Sequence, residues 1–108
     1  MGADPFSNID AKTADRMLKA GEAVLVDVRE QDEHARERIK GARLMPLSSF
    51  NPADLPDADT IIIHCKAGVR SAQACAFAAQ HSSAAFYNVA GGIEAWKAAG
   101  LPVETGKA

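Results

Sequence analysis

Short runs of β-branched and other apolar residues alternate along the chain with segments whose apolar positions recur at helical spacing. Residues 60–64, Thr-Ile-Ile-Ile-His, are uninterrupted and β-branched and predict the strongest strand. Residues 23–28, Ala-Val-Leu-Val-Asp-Val, form a nearly continuous apolar run, the pattern of a strand covered on both faces. Residues 85–89 predict a last strand, residues 6–9 a short first one, and residues 42–45 a weaker one closed by Pro46. Asp10 reads as a helix N-cap, followed by an apolar stripe of Ala14, Met17 and Leu18, with Gly21 ending the helix. The highly charged residues 29–40 are helical for part of their length. Residues 48–59 carry two prolines and read as a loop or broken helix. The alanine-rich residues 71–80 form a helix, and residues 93–99 a last helix ending at Gly100-Leu101-Pro102.

Strands alternating with helices imply a parallel sheet covered on both faces, an α/β fold. In such sheets ligands bind beyond the carboxyl ends of the strands, where loops enter helices. Asp27 and Cys65 both fall at such ends, so their loops are expected to share one crevice.

The chain of 108 residues suffices for one domain with a single core, expected over residues 1–108 with short flexible termini outside about residues 6–103. A net charge of −2 gives no general attraction to nucleic acid or to an anionic membrane. No apolar run approaches the ~20 residues of a membrane span. The opening MGADPFSNID lacks a basic region followed by an apolar one, so no signal peptide is expected. Two cysteines, Cys65 and Cys75, are too few for a disulfide scaffold and read as free thiols of a reducing compartment, the cytoplasm. With no obvious exposed apolar stripe, a monomer is expected.

Chemistry concentrates between the strand at 60–64 and the alanine-rich helix, in Cys65-Lys66-Ala67-Gly68-Val69-Arg70-Ser71. The thiolate is the nucleophile, whereas a free thiol with a pKa of about 8.5 is mostly protonated at neutral pH. A helix N-terminus supplies unpaired N–H groups and the positive end of the macrodipole. Successive N–H groups of a tight loop can converge on an anion. Gly68 permits the left-handed backbone such a curl needs, and Lys66 and Arg70 add positive charge. Cys75, inside the helix with no cation beside it in sequence, reads as core. His64 precedes Cys65 in a strand, so its side chain points to the opposite face and a structural role is expected. No metal-ligand cluster is visible in the sequence.

At this loop the sequence resembles the rhodanese homology domain. Cys65-Lys66-Ala67-Gly68-Val69-Arg70 is similar to the family's six-residue active-site loop, and Asp27-Val28-Arg29-Glu30 to its motif after an early strand. Gly41 to Pro46 resembles the Gly-Ala…Pro segment that follows. Ala90-Gly91-Gly92-Ile93-Glu94-Ala95-Trp96, continuing to Gly100-Leu101-Pro102-Val103, resembles the C-terminal signature. Four such segments in order at compatible spacing cover most of the chain.

The resemblance implies a three-layer fold around a mostly parallel five-stranded sheet. It implies a sulfurtransferase in which Cys65 takes the outer sulfur of a small anionic donor such as thiosulfate, becomes a persulfide, and passes the sulfur to cyanide, a thiol or a protein acceptor. No metal or organic cofactor is implied. Glu37-Arg38-Ile39 stands where the family often has Gly-His-Ile, a helix–loop position where Arg38 is expected to be a solvated charge. Asp27 and Arg29 are expected to anchor a neighbouring loop by ion pairing, with Arg29 and Glu33 at i,i+4 spacing as one option. Trp96 is expected in the core or a lid. Two other functions compete with turnover. One is a cysteine-dependent phosphatase of related fold, whose loop holds one residue more and suits a phosphate. The other is a persulfide carrier or binding module for a partner protein.

Overall fold

The computed structural model describes residues 4–106; Met1, Gly2, Ala3, Lys107 and Ala108, assigned above to the termini, lie outside the described residues. Five strands run in parallel in the order β1-β6-β5-β2-β4: β1 (Ser7–Ile9), β2 (Val24–Asp27), β4 (Arg43–Leu44), β5 (Thr60–His64) and β6 (Ala85–Val89). The mostly parallel sheet expected from the sequence is therefore wholly parallel in its main layer. The helices are α1 (Ala11–Lys19), α2 (Gln31–Arg36), α3 (Val69–Ala79) and α4 (Gly92–Ala98).

The alternation along β5 divides the core. Ile61 and Ile63 face α3 in a cluster with Val26, Val28, Met45, Ala74, Cys75, Ala78 and Phe86. Ile62 faces the opposite way, with Leu25 and Val89, against Ala11 and Ala14 of α1 and Ile93 and Trp96 of α4. Both faces of the sheet are covered, as apolar runs without polar alternation require. The stripe of Ala14, Met17 and Leu18 packs in this second cluster. Asp10 caps α1 through the Thr13 N–H at 2.8 Å. Trp96 is a core residue, 3% exposed, and its indole N–H donates to the Pro102 carbonyl at 2.8 Å. Residues 48–59 contain the broken helix expected there, in the form of two 3-10 turns, Leu47–Ser49 and Pro52–Asp54, the first beginning one residue earlier. No helix among the described residues is long and apolar enough to cross a membrane.

The structure corrects the sequence at two elements. Glu37 and Arg38 are not a helix–loop junction but a short strand, β3 (Glu37–Arg38), antiparallel to β7 (Glu104–Thr105). Arg38 is therefore not a solvated charge. Its guanidinium reaches the Glu104 carboxylate at 3.4 Å and the carbonyls of Ala35 and Gly106, each at 3.2 Å. Two-residue strands carry too little periodicity to be read from sequence. The alanine-rich helix also starts earlier than expected, at Val69, because Gly68 serves as N-cap with φ of 101° and draws the end of the loop into the first turn.

Ile62 is fully buried in the central strand, so Ile62→Ala removes packing on the α1/α4 face without a partner to fill the space. We expect a loss of about 2–5 kcal/mol in unfolding free energy, read from urea denaturation.

Candidate active site

Cys65 follows β5 directly and is 1% exposed. From there the backbone curls through Lys66, Ala67 and Gly68 into α3. The Gly68 N–H donates to Cys65 Sγ at 3.0 Å, and the Ser71 hydroxyl lies 3.2 Å from the same sulfur. Burial pushes the thiol up. The Ser71 hydroxyl and the backbone N–H groups of Ser71, Gly68 and Ala67 outweigh it, holding Cys65 below the usual thiol value. Cys75 has no such donors: burial, with the charge of Cys65 adding to it, pushes it up to about 12.

The curl is braced from outside by α4. Ile93 N–H donates to the Cys65 carbonyl at 2.9 Å and Glu94 N–H to the Lys66 carbonyl at 3.2 Å. This approach needs Gly92, at φ of 61°, since a Cβ there would collide with the carbonyl oxygens of Cys65 and Lys66. The loop carbonyls thus turn toward α4 while its N–H groups turn toward the sulfur.

The remaining sequence-predicted residues fall into three places. Lys66 and Ala67 are exposed on the loop, and Lys66 lines a cleft of about 370 Å³ with Glu33, Arg36, Glu94 and Lys97. Val69, the first residue of α3, is 68% exposed. Arg70 makes a two-pronged pair with Glu33, at 2.7 and 2.9 Å. Asp27 and Arg29 lie at the end of β2, both buried, and pair side chain to side chain at 2.8 Å. The alternative of Arg29 paired with the Glu33 carboxylate does not form. Arg29 meets only the Glu33 carbonyl, at 3.4 Å, because Arg70 occupies the carboxylate.

Asp27 also accepts from His34 Nδ1 at 2.9 Å, so one carboxylate ties α2 to the sheet. Burial raises the Asp27 carboxyl, but the Arg29 contact and the nearby His64 and His34 bring it below the usual range. His64 is fully buried. Its Nδ1 donates to the Cys65 carbonyl at 3.2 Å, and its Nε2 sits 3.8 Å from Asp27. Burial depresses its basicity against the opposing pull of Asp27, and its hydrogen bond goes to the Cys65 carbonyl rather than to the sulfur, a structural role.

Three residues of the site were not singled out by sequence reasoning: Glu33 as the partner of Arg70, and Ser71 and Asn88 beneath the sulfur. Asn88 is 3% exposed and is the one amide in the strand Ala85–Val89, and a polar residue in so apolar a run was the available signal. Glu33 was marked only as the i,i+4 option for Arg29, and nothing in the sequence pointed from it to Arg70.

The Arg70 contact, opposed by partial burial, holds the Glu33 carboxyl at about 2. A carboxyl depressed in the folded state stabilises above its unfolded value and loses that contribution as pH falls. Glu33→Gln is therefore expected to lower the urea midpoint at neutral pH. The wild-type advantage should shrink steadily from about pH 5 down to about pH 2, the folded value. A pH-independent difference would show that the ion pair is not its source.

Comparison with known proteins accords with this geometry. The rhodanese-like domain profile matches residues 10–99. Thiosulfate sulfurtransferase GlpE of Actinobacillus succinogenes is 35% identical over 102 residues, covering 93% of this chain and 92% of that protein. The uncharacterized protein slr1261 of Synechocystis is 36% identical over 96 residues, and this chain spans 54% of its length. Among solved structures, a rhodanese-related protein from Thermoplasma volcanium superposes with a TM-score of 0.82 at 28% identity, over 92% of this chain and 98% of that one. The chain belongs to the rhodanese-like domain family, as a sulfurtransferase of rhodanese type.

Proposed function

We propose that the chain moves sulfane sulfur through a persulfide on Cys65, from a small anionic donor such as thiosulfate to a thiophilic acceptor such as cyanide or a thiol. The observation that carries this is the set of N–H and O–H donors converging on a buried sulfur, which favours the thiolate over the thiol. The thiolate attacks the outer sulfur of thiosulfate. A bond forms between Sγ and that sulfur, the S–S bond of the donor breaks, and sulfite leaves with the electron pair. The acceptor's lone pair then attacks the terminal sulfur, the bond to Sγ breaks, and the thiolate is restored. Dividing the transfer in this way gives ping-pong kinetics.

Lys66, Ala67, Gly68, Val69 and Arg70 form the anion-binding loop in this scheme. Gly68 donates to the sulfur, and Lys66 and Arg70 attract the donor. Asp27 and Arg29 act structurally, holding α2 in place. Such transfer needs no metal or organic cofactor, nucleic acid or membrane. It fits a monomer in the cytoplasm, where free thiols persist. The exposed Val69, four residues after Cys65, favours one further acceptor, a protein thiol that covers it, with Cys65 then working as a persulfide carrier.

Cys65→Ser is expected to abolish thiosulfate:cyanide transfer while circular dichroism shows the fold intact, because serine cannot form a persulfide. Substantial turnover with only Cys75 left would move the nucleophile elsewhere. Mass spectrometry of wild type after thiosulfate should find one added sulfur on the Cys65 peptide. Arg70→Ala is expected to reduce kcat/KM for thiosulfate about tenfold, mainly through KM, as loss of a charged contact implies.

A further inference from the structure

Beneath Cys65 lies a buried polar chain that joins α3 to β6 and β1. The Ser71 side chain touches two groups at once, Cys65 Sγ at 3.2 Å and Asn88 Oδ1 at 2.5 Å. Asn88 Nδ2 donates to the Gly68 carbonyl at 3.2 Å and to Asn8 Oδ1 at 2.9 Å. Ser71 is fully buried and Asn88 is 3% exposed, so the contact between them is shielded from water.

The orientation of the Asn88 amide follows from chemistry. The Gly68 carbonyl can only accept, so the nitrogen of the amide must face it. The amide oxygen must then face Ser71. An amide oxygen carries no hydrogen, so Ser71 must be the donor there. A serine hydroxyl has one proton. That proton can serve Asn88 or the sulfur, not both at full strength.

We propose that Ser71 is a further catalytic residue whose single hydroxyl proton is contested between Cys65 Sγ and Asn88 Oδ1, and that Asn88 is the positioning residue governing the contest. This rests on Cys65 being the nucleophile. In the thiol state the Sγ–H donates to the Ser71 oxygen and the hydroxyl donates to Asn88, so the chain is satisfied without a thiolate. In the thiolate state the hydroxyl turns to the sulfur and Asn88 Oδ1 gives up its donor. Once Sγ is bonded to a second sulfur, the inner sulfur no longer carries the charge and the hydroxyl returns to Asn88. Asn88 therefore tempers the thiolate rather than stabilising it.

The consequence is a difference in sign. Removing the Ser71 hydroxyl takes a donor from the thiolate and weakens the acid. Removing the Asn88 amide frees the hydroxyl for the sulfur and strengthens it. The other titratable groups around the sulfur are Lys66, exposed on the loop; Arg70, paired with Glu33; Cys75, one turn beyond Ser71 on α3; and His64, whose Nδ1 faces the Cys65 carbonyl. None of these hydrogen-bonds Ser71 or Asn88 among the described residues, so their influence is common to all variants.

Alkylation of Cys65 by iodoacetamide, followed across pH on the full chain by mass spectrometry, reads its acidity without any sulfur transfer. Ser71→Ala is expected to lower the acid dissociation constant about tenfold, and Asn88→Ala to raise it about threefold. Combined with Ser71→Ala, Asn88→Ala is expected to change nothing further, because its effect runs through the hydroxyl. A purely structural role would weaken the acid in both variants and add in the double one. Weaker acidity in Asn88→Ala, or an undiminished Asn88→Ala effect without the Ser71 hydroxyl, overturns the proposal. Should Asn88→Ala fail to fold, Asn8→Ala decides. Asn8 is exposed, and its loss loosens the amide without emptying a buried site. It should shift the constant upward as well, and a downward shift or none overturns the proposal. Thiosulfate incubation of wild type runs alongside. If no sulfur mass appears on Cys65, the sulfur-transfer function fails while the acidity result stands by itself.

Discussion

The turning of peptide groups between Cys65 and Ser71 is the constraint on which the rest of the site depends. Each peptide in that stretch has an N–H at one end of its dipole and a carbonyl at the other. For N–H groups to converge on the sulfur, the carbonyls must find acceptable surroundings on the far side. Helix α4 supplies them, with its Ile93 and Glu94 N–H groups on the carbonyls of Cys65 and Lys66. Those two N–H groups belong to the first turn of α4, where they have no intrahelical partners. One helix start thus satisfies the back of a loop whose front satisfies a sulfur, and Gly92 makes the approach possible.

The opposite wall works by a different physics. Helix α2 spans six residues with none of them buried, so packing contributes little to its position. Directed polar contacts place it instead. Asp27 reaches it through His34, Arg29 reaches its backbone at Glu33 and the following residue Glu37, and Glu33 closes on Arg70. Asp27 can organise this region because it is at the end of a fully covered strand, where its carboxylate is buried and must be paired. Glu33 caps the start of α2 through the Glu30 N–H at 2.9 Å and holds Arg70 with the same carboxylate. The charge of the loop is therefore set jointly by α2 and α3.

How far the sequence could be read follows from these two kinds of force. The central strands were legible because the runs at residues 24–27 and 60–64 must be apolar to lie in a covered sheet. The loop after β5 stood out in the sequence because Gly68 and two cations surround a cysteine at a strand end, where parallel sheets place their sites. Partner choice among charges was not. Arg29 had Asp27 two residues before it and Glu33 four after it, and only the three-dimensional position of Arg70, 37 residues from Glu33, decides which carboxylate it takes. Pairing of β3 with β7 was hidden for a related reason, being a contact between segments too short to carry a period. Ser71 and Asn88 were read as a helix start and a strand residue. Their meeting depends on the register of β6 beside β5, which no local pattern encodes.

The two cysteines show why the Ser71 hydroxyl and the direction of backbone groups together outweigh burial at this site. Cys65 and Cys75 are 1% and 0% exposed and belong to the same cluster. If burial governed, both thiols would be weak acids and inert. They move in opposite directions instead, Cys65 below its usual value and Cys75 up to about 12. Cys75 sits within α3, where backbone N–H groups are spent on the helix itself. Cys65 sits just before that helix, where they are free to point at a side chain. Their separation of ten residues spans the transition from unsatisfied to satisfied N–H groups. The acidity of Cys65 is placed by where the helix begins, and Gly68 is what fixes that beginning one turn from the sulfur.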